Sequence, residues 1–267
     1  MQIVPSDGLK LIIRHFLIYY PSTSNSVMRF FSDGSPGIVV PLSYSLLPFL
    51  KNQELQKGEL LAYGLIEHPI IIPPPPAFGM IVIVLQPYAL AFLSGMKPNL
   101  LKNRILPLSA LLGPSAYLLK TAVEGLSDED EIIKELEKFF FDLLSNLPPT
   151  DELLRESLYL MKQSYGKISI NELLRGLSVS ERLLERRFDR FIGISPKKLN
   201  GILRINHYLK LLRDPNQLYT QVQAALEAGF YDQAHLNNSF KEITGTSPLK
   251  YLASSDPLAI NLFSFRG

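Results

Sequence analysis

The 267-residue chain contains no cysteine. That absence excludes disulfides, thiolate–zinc sites, thiol redox sensing and cysteine nucleophiles together. Histidine is scarce, with four in all. His207 and His235 fall in the second half of the chain, which leaves His15 and His68, 53 residues apart and with no second histidine near either. A cupin-type metal centre needs several His and carboxylate ligands converging, so no metal is expected. A glycine-rich phosphate loop, a nucleophile elbow and a clustered acid pair are all missing, so no catalytic residue, no cofactor and no enzymatic activity are expected. The N-terminus has no basic stretch leading into a clean apolar run and a small-residue cleavage site, the pattern of a secretory signal. The most apolar window, Met80 to Met96, is interrupted by Gln86 and Pro87 and falls short of the roughly 20 residues a membrane helix needs. It reads as a buried strand and the segment after it. A cytoplasmic protein with no membrane partner is expected.

The residues that are present point to packed cores: 46% are hydrophobic and 19% charged, too apolar for a disordered polymer. The length allows one large domain or two ordinary ones. A net charge of +2 hides an asymmetry. Residues 1–159 carry 12 Lys+Arg against 16 Asp+Glu, net −4, while residues 160–267 carry 15 against 9, net +6. Such a split hints that the second part meets a polyanion and the first does not.

The first half is rich in Pro, Gly and β-branched residues. Ile38-Val39-Val40, Ile70-Ile71-Ile72 and Met80 to Leu85 read as strands, most of them buried on both faces. Turn chemistry separates them at Ser32 to Gly37, at Lys57-Gly58 and at the stiff tract Pro73 to Pro76. After residue 100 the period becomes helical. Ser127 to Asn146 opens with acids in its first turn and carries Ile132, Ile133, Leu136, Phe139, Phe140, Leu143 and Leu144 as an apolar stripe. That stripe reads as core or as a dimer seam. Pro148-Pro149 stops the helix, and Thr150-Asp151-Glu152 starts another with Leu153, Leu154, Leu158 and Met161. The domain boundary is expected there, giving 1–148 and 149–267.

The basic half contains an internal repeat. Phe188-x4-Gly193-x-Ser195-Pro196 recurs 52 residues later as Phe240-x4-Gly245-x-Ser247-Pro248, and the register runs back to Leu184 with Leu236 and to Ser180 with Asp232. Ser195 and Ser247 read as N-caps, with Pro196 and Pro248 at the first helical position, where the missing N–H costs nothing. Gly193 and Gly245 supply the left-handed residue that ends the preceding helix. In the first copy Ser169-x-x-Glu172 is a capping box for a helix ending near Gly176, followed by a short turn and a helix from about Glu181 to Ile192. In the second, a helix of about Tyr219 to Glu227 turns at Gly229, and the next runs from Gln233 to Thr244. Each copy has the layout of a helix-turn-helix. Residues Pro196 to Arg213 form a long helix joining them, with Leu199, Leu203, Leu209 and Leu212 available for burial.

At 100° per residue, Leu184, Phe188 and Phe191 or Ile192 share one face of the first copy's second helix. Arg182, Arg186 and Arg190 fall on the other, with Glu185 and Asp189 nearby. Arg186 stands diametrically outward, and arginine is the best bidentate partner for guanine. The second copy offers Gln233, Ala234, Asn237, Asn238, Lys241 and Glu242, and asparagine and glutamine suit adenine edges. It is less cationic, so it contributes less phosphate attraction. A helical repeat with a merely solvated charged face is the competing reading; two capped helix-turn-helix units, with a basic outer face on one of them, favour DNA.

These residues carry a resemblance. From about 165 to 252 the chain resembles the DNA-binding domain of the AraC/XylS family of bacterial transcription regulators. The match rests on Ser180-x3-Leu184-x-Arg186-x-Phe188, Gly193-x-Ser195-Pro196, Arg204, and Gly229-Phe230-Tyr231-Asp232-Gln233-Ala234-His235 through Phe240-Lys241-x3-Gly245-x-Ser247-Pro248. The resemblance implies two helix-turn-helix units bridged by a helix, each placing a recognition helix in successive major grooves of double-stranded DNA. It carries the base-reading positions onto Arg182, Glu185 and Arg186 in the first unit and onto Gln233, Asn237 and Asn238 in the second. Asp232 becomes the helix cap and His235 lies beside the groove; Arg190 and Lys241 complete the expected DNA-binding set. Many members have arginine in place of Asn238 and an aromatic in place of Leu236, so the second unit is expected to bind more weakly. Arg204 has a phosphate-contact reading and a helix-packing reading.

The first half more loosely resembles the sensor domains such regulators carry, small cupin-like β-barrels followed by a helical dimerisation element, through Arg29 to Gly34 and Gly79 to Pro87. The expected fold class is therefore α+β: an N-terminal β-rich, cupin-like barrel with a helical element, then an all-α domain of two helix-turn-helix units joined by a long helix. The expected function is sequence-specific transcription regulation, with a small-molecule effector or homodimerisation acting through the first half, and RNA polymerase as a partner if the protein activates. Two alternatives stay open, a purely structural first half and a cupin-type enzyme fused to DNA-binding units.

Overall fold

The computed structural model describes all residues except 21–26, 43–58, 73–78, 148–149, 215, 254–256, 260 and 266–267. The expected turn at Lys57-Gly58, the tract Pro73 to Pro76 and the boundary at Pro148-Pro149 lie outside the described residues. In chain order the strands are β1 (Gln2–Ile3), β2 (Ile13–Tyr19), β3 (Val27–Phe30), β4 (Gly37–Pro41), β5 (Leu61–Tyr63), β6 (Ile70–Ile72), β7 (Met80–Leu85), β8 (Ile105–Pro107), β9 (Pro257–Ala259) and β10 (Leu262–Phe265). The helices are α1 (Ala89–Ser94), α2 (Pro98–Leu101), α3 (Ser109–Leu112), α4 (Pro114–Val123), α5 (Glu129–Ser145) and α6 (Glu152–Gln163). They continue with α7 (Ile170–Leu177), α8 (Glu181–Phe191), α9 (Pro196–Leu212), α10 (Gln221–Glu227), α11 (Gln233–Thr244) and α12 (Pro248–Ala253).

Two compact units divide these elements. The first comprises Met1–Asn25, Ser35–Leu65 and Pro73–Pro149. It holds a sheet of order β1-β2-β7-β4-β5-β8, antiparallel throughout. Among the described residues the cupin-like barrel of the resemblance is represented by this open order, in which β1 and β8 are edges and are not paired to each other. The β-branched run Ile81-Val82-Ile83-Val84 forms the middle strand, because such side chains pack well on a pleated surface. It pairs with β2 (Phe16 opposite Ile83) and with β4 (Ile38 opposite Ile83). Ile13, Phe16, Ile38, Ile81, Ile83 and Leu85 from the sheet form one core with Ala89, Leu119, Ile132, Leu136 and Phe140 from the helices. Each large apolar side chain among them, fully buried, contributes about 1.5–3 kcal/mol.

The helical element of this unit is shaped by its caps and stripes. Asp128 accepts the N–H of Glu131 at 2.9 Å, and Glu129, Asp130 and Glu131 fill the first turn of α5, at the positive end of its dipole. Its expected stripe is the buried one: Ile132, Ile133, Leu136 and Phe140 face the core, with Phe139, Leu143 and Leu144 partly covered. Gly64 follows β5 where the chain passes Leu101 of α2. A Cβ built on it would stand 2.0 Å from the Leu101 carbonyl oxygen, so only glycine allows the approach.

The second unit comprises Ser26–Gly34, Ile66–Ile72 and Thr150–Gly267. It contains α6 to α12 and, beyond the expected helices, a sheet of order β6-β3-β10-β9. Two of these strands come from the first half of the chain. β3 lies between β6 (Arg29 opposite Ile71) and β10 (Arg29 opposite Phe263). Among the described residues β6 is an edge strand, and Ile71 is 67% exposed, so this strand is not buried on both faces at Ile71.

Candidate nucleic-acid interface

The two repeats fold as the capping chemistry dictates. Ser169 and Glu172 form a capping box at the start of α7, and the chain leaves α7 through Ser178 in the left-handed conformation (φ 53). Ser180 then caps α8, accepting the N–H of Leu183 at 3.3 Å. Ser195 caps α9 with Pro196 at its first position. In the second copy Thr220 and Gln223 form another capping box, so α10 starts at Gln221 rather than at Tyr219. The T-x-x-Q spacing is the sequence signal for this start. Gly229 turns the chain with φ 82, and Asp232 caps α11 by accepting the N–H of His235 at 2.6 Å.

Burial fixes which face each second helix presents. On α8, Leu184 and Phe188 are fully buried, while Arg182, Glu185, Arg186 and Arg190 are exposed. On α11, Leu236 and Phe240 are buried, while Gln233, Asn237, Asn238 and Lys241 are exposed. His235 is half-buried; its ring meets Phe230 edge-on with centroids 5.3 Å apart and lies near-parallel to Tyr231 at 6.1 Å. The structure thus brings Arg182, Glu185, Arg186 and Arg190 together on one outward face, and Gln233, Asn237, Asn238 and Lys241 together on another. The Arg190 guanidinium sits 5.1 Å over the Phe191 ring.

Other cations of this unit are committed to packing. Arg187, next to Arg186, pairs with Asp151 at 3.1 Å and so ties α8 to the start of α6. Arg204 on α9 places its guanidinium 5.4 Å over the Phe230 ring, the geometry of a cation–π contact, and burial holds its pKa below the ordinary arginine value. Its observed place is the packing one of its two readings. Arg213 lies 5.1 Å over the Tyr251 ring and donates to its hydroxyl; burial pushes its pKa down to about 10. Sequence periodicity misses these roles because they depend on which helix lies opposite.

His207 on α9 stacks on Tyr165 with ring centroids 4.1 Å apart and 8° between planes. Its Nε2 is buried without a hydrogen-bond partner. Burial foremost, with Lys167 and Lys210 adding to it and Glu227 opposing, holds its pKa below the ordinary imidazole value. A histidine whose folded pKa lies below its unfolded value of about 6.5 favours the neutral form. The unfolded chain then binds the extra proton first, so stability is full above that value and falls as pH drops through it. The unfolding midpoint should therefore decline as pH falls through about 6.5, and His207→Phe should flatten that decline. An identical pH profile in the variant would remove His207 as its cause.

Among the described residues no group of three or more His, Asp or Glu side chains could hold a metal ion, and no helix is long and apolar enough to cross a membrane.

Two capped helix pairs joined by a long helix, each presenting a polar outer face, define a double helix-turn-helix unit. Residues 173–254 match the model of a helix-turn-helix domain; they form one of AraC type. Residues 1–107 match a domain of unknown function (DUF6597). A curated relative, the uncharacterized HTH-type transcriptional regulator YbfI of Bacillus subtilis, is 29% identical over 135 residues, covering 48% of this chain and 48% of its own length. The chain thus spans about half the length of that relative. Structures of ToxT from Vibrio cholerae are also similar. One, from strain O395, has a TM-score of 0.44 at 14% identity and covers 94% of each chain. Another has a TM-score of 0.42 at 15% identity, with 89% and 93% covered.

Proposed function

We propose that the chain is a sequence-specific regulator of transcription that binds double-stranded DNA through α8 and α11, one in each of two successive major grooves. The observation that carries this reading is the pair of outward faces, each set opposite a buried Leu-and-Phe anchor on a helix with a side-chain N-cap. Lys and Arg supply the salt-dependent attraction. Arg182, Glu185 and Arg186 select bases in one block, and Gln233, Asn237 and Asn238 in the other; Arg190, Lys241 and His235 flank them. The AraC-type domain and the regulator named among the relatives support the same class. The first half, with its own core, acts as the modulating domain, through a small-molecule effector or through dimerisation; RNA polymerase is the further partner if the regulator activates.

The test is recovery of bound duplexes from a random DNA pool, followed by affinity against salt. A motif of two blocks about one helical turn apart is the expected result. Salt-steep binding blind to sequence would overturn the base-reading assignment, and no binding to any duplex at low salt would overturn DNA binding itself.

A further inference from the structure

The strands that the first half contributes to the second unit end on the second recognition helix. From β3, Arg29 Nη1 donates to the carbonyl oxygen of Gly245 at 2.9 Å. Gly245 is the left-handed C-cap of α11 (φ 72). A guanidinium at this point meets the carbonyl end of a helix, where unpaired acceptors and the negative pole of the dipole gather. Pro69, directly before β6, closes on the same residue: a Cβ built on Gly245 would lie 2.5 Å from its Cγ. Glycine is required there twice over, by the positive φ and by the proline.

The same segments are anchored around that grip. Asn206 Nδ2 on α9 donates to the Ser32 carbonyl at 3.3 Å, and Lys198 of α9 pairs with Glu67 at 2.7 Å. The Phe31 ring is fully buried and meets Tyr251 of α12 edge-on at 6.2 Å. Asn238 lies two turns, and Lys241 about one, from the gripped end of α11. A helix is stiff over this length, so whatever fixes its end fixes where these side chains point, and recognition tolerates only about 0.5 Å of misplacement.

We propose that Arg29 and Pro69, which belong to the domain of unknown function, are positioning residues for the second recognition helix, so that the first half of the chain sets how sharply the second DNA block is read. The proposal rests on the DNA-binding reading above. It gives the first half a defined task at the DNA, whether or not an effector exists.

The experiment uses the full chain carrying Arg29→Ala and, in parallel, Arg29→Lys, with base preference measured separately in each block of the recovered duplex. Arg29→Ala should leave the first block read as before and lower discrimination in the second by roughly fivefold or more. Arg29→Lys should restore most of it, because an ammonium can also donate to the Gly245 carbonyl. The slope of log affinity against log salt should stay unchanged, whereas loss of a phosphate contact would reduce it by about one on every sequence. A reduced slope, an equal loss in both blocks, or both blocks read as in the parent would each overturn the proposal. So would a parent protein that reads only one block. Failure of the parent to bind any duplex is a separate result, which removes the DNA-binding reading and this one with it.

Discussion

Arg186→Ala should bind the recovered duplex about 1–3 kcal/mol more weakly, roughly a 5- to 150-fold loss, and relax the preference at one base pair. The side chain is exposed on α8, and the helix cannot roll to hide it, because Leu184 and Phe188 are fully buried on the opposite side. Bidentate pairing of a guanidinium with guanine is directional, so its removal is felt most on the matched sequence. Affinity for random duplex should change little. An equal loss on matched and random DNA, with the salt slope lower by about one, would move Arg186 to a phosphate and sink the base-reading assignment. Arg187→Ala is the control on the same helix turn. Its guanidinium is engaged with Asp151, so that variant should lose stability while keeping the base preference.

The double helix-turn-helix is legible in the sequence because its signals are local. A cap reaches three residues along the chain, and Ser169, Ser180, Ser195 and Asp232 each make the bond their spacing implies. The repeat doubles every signal, and α11 runs over Gln233–Thr244, as its spacing predicts. The outward faces follow from the 3.6-residue period once Leu184, Phe188, Leu236 and Phe240 are taken as anchors.

The features that escape the sequence depend on partners distant in the chain. The runs of β4 and β7 are plain, but nothing local says that β7 lies between β2 and β4. The pairing of Leu262 with Phe30 joins residues from opposite ends of the chain. Backbone pairing of that kind leaves no periodic trace, so neither β10 nor the sheet it completes can be read from local pattern. Arg29 illustrates the consequence. Its sequence neighbourhood is that of a turn in a sensor-like domain, yet its guanidinium lies on the C-cap of α11, a place fixed by tertiary packing alone.

Phe230→Ala should cost the second helix-turn-helix a large part of its stability. Phe230 follows the left-handed Gly229 in the turn between α10 and α11 and is 2% exposed. Its ring meets Tyr208 of α9 edge-on at 6.5 Å and His235 of α11 at 5.3 Å, with the Arg204 guanidinium 5.4 Å over it. One side chain therefore joins α9 to α11. Truncation removes apolar burial and leaves a cavity, which costs about 3–5 kcal/mol for a buried phenylalanine. It also strips the aromatic face from a half-buried arginine whose Nε has no hydrogen-bond partner. Phe230→Leu keeps most of the volume and should lose about 1.5 kcal/mol. Tyr231→Ala, one residue on and 89% exposed, should change stability by less than about 0.5 kcal/mol. Denaturant unfolding of the three variants, compared at constant slope, checks the order. Should Phe230→Ala fall within about 1 kcal/mol of the parent, the turn would be collapsing onto the space, and this ring would not be what holds α11 in position.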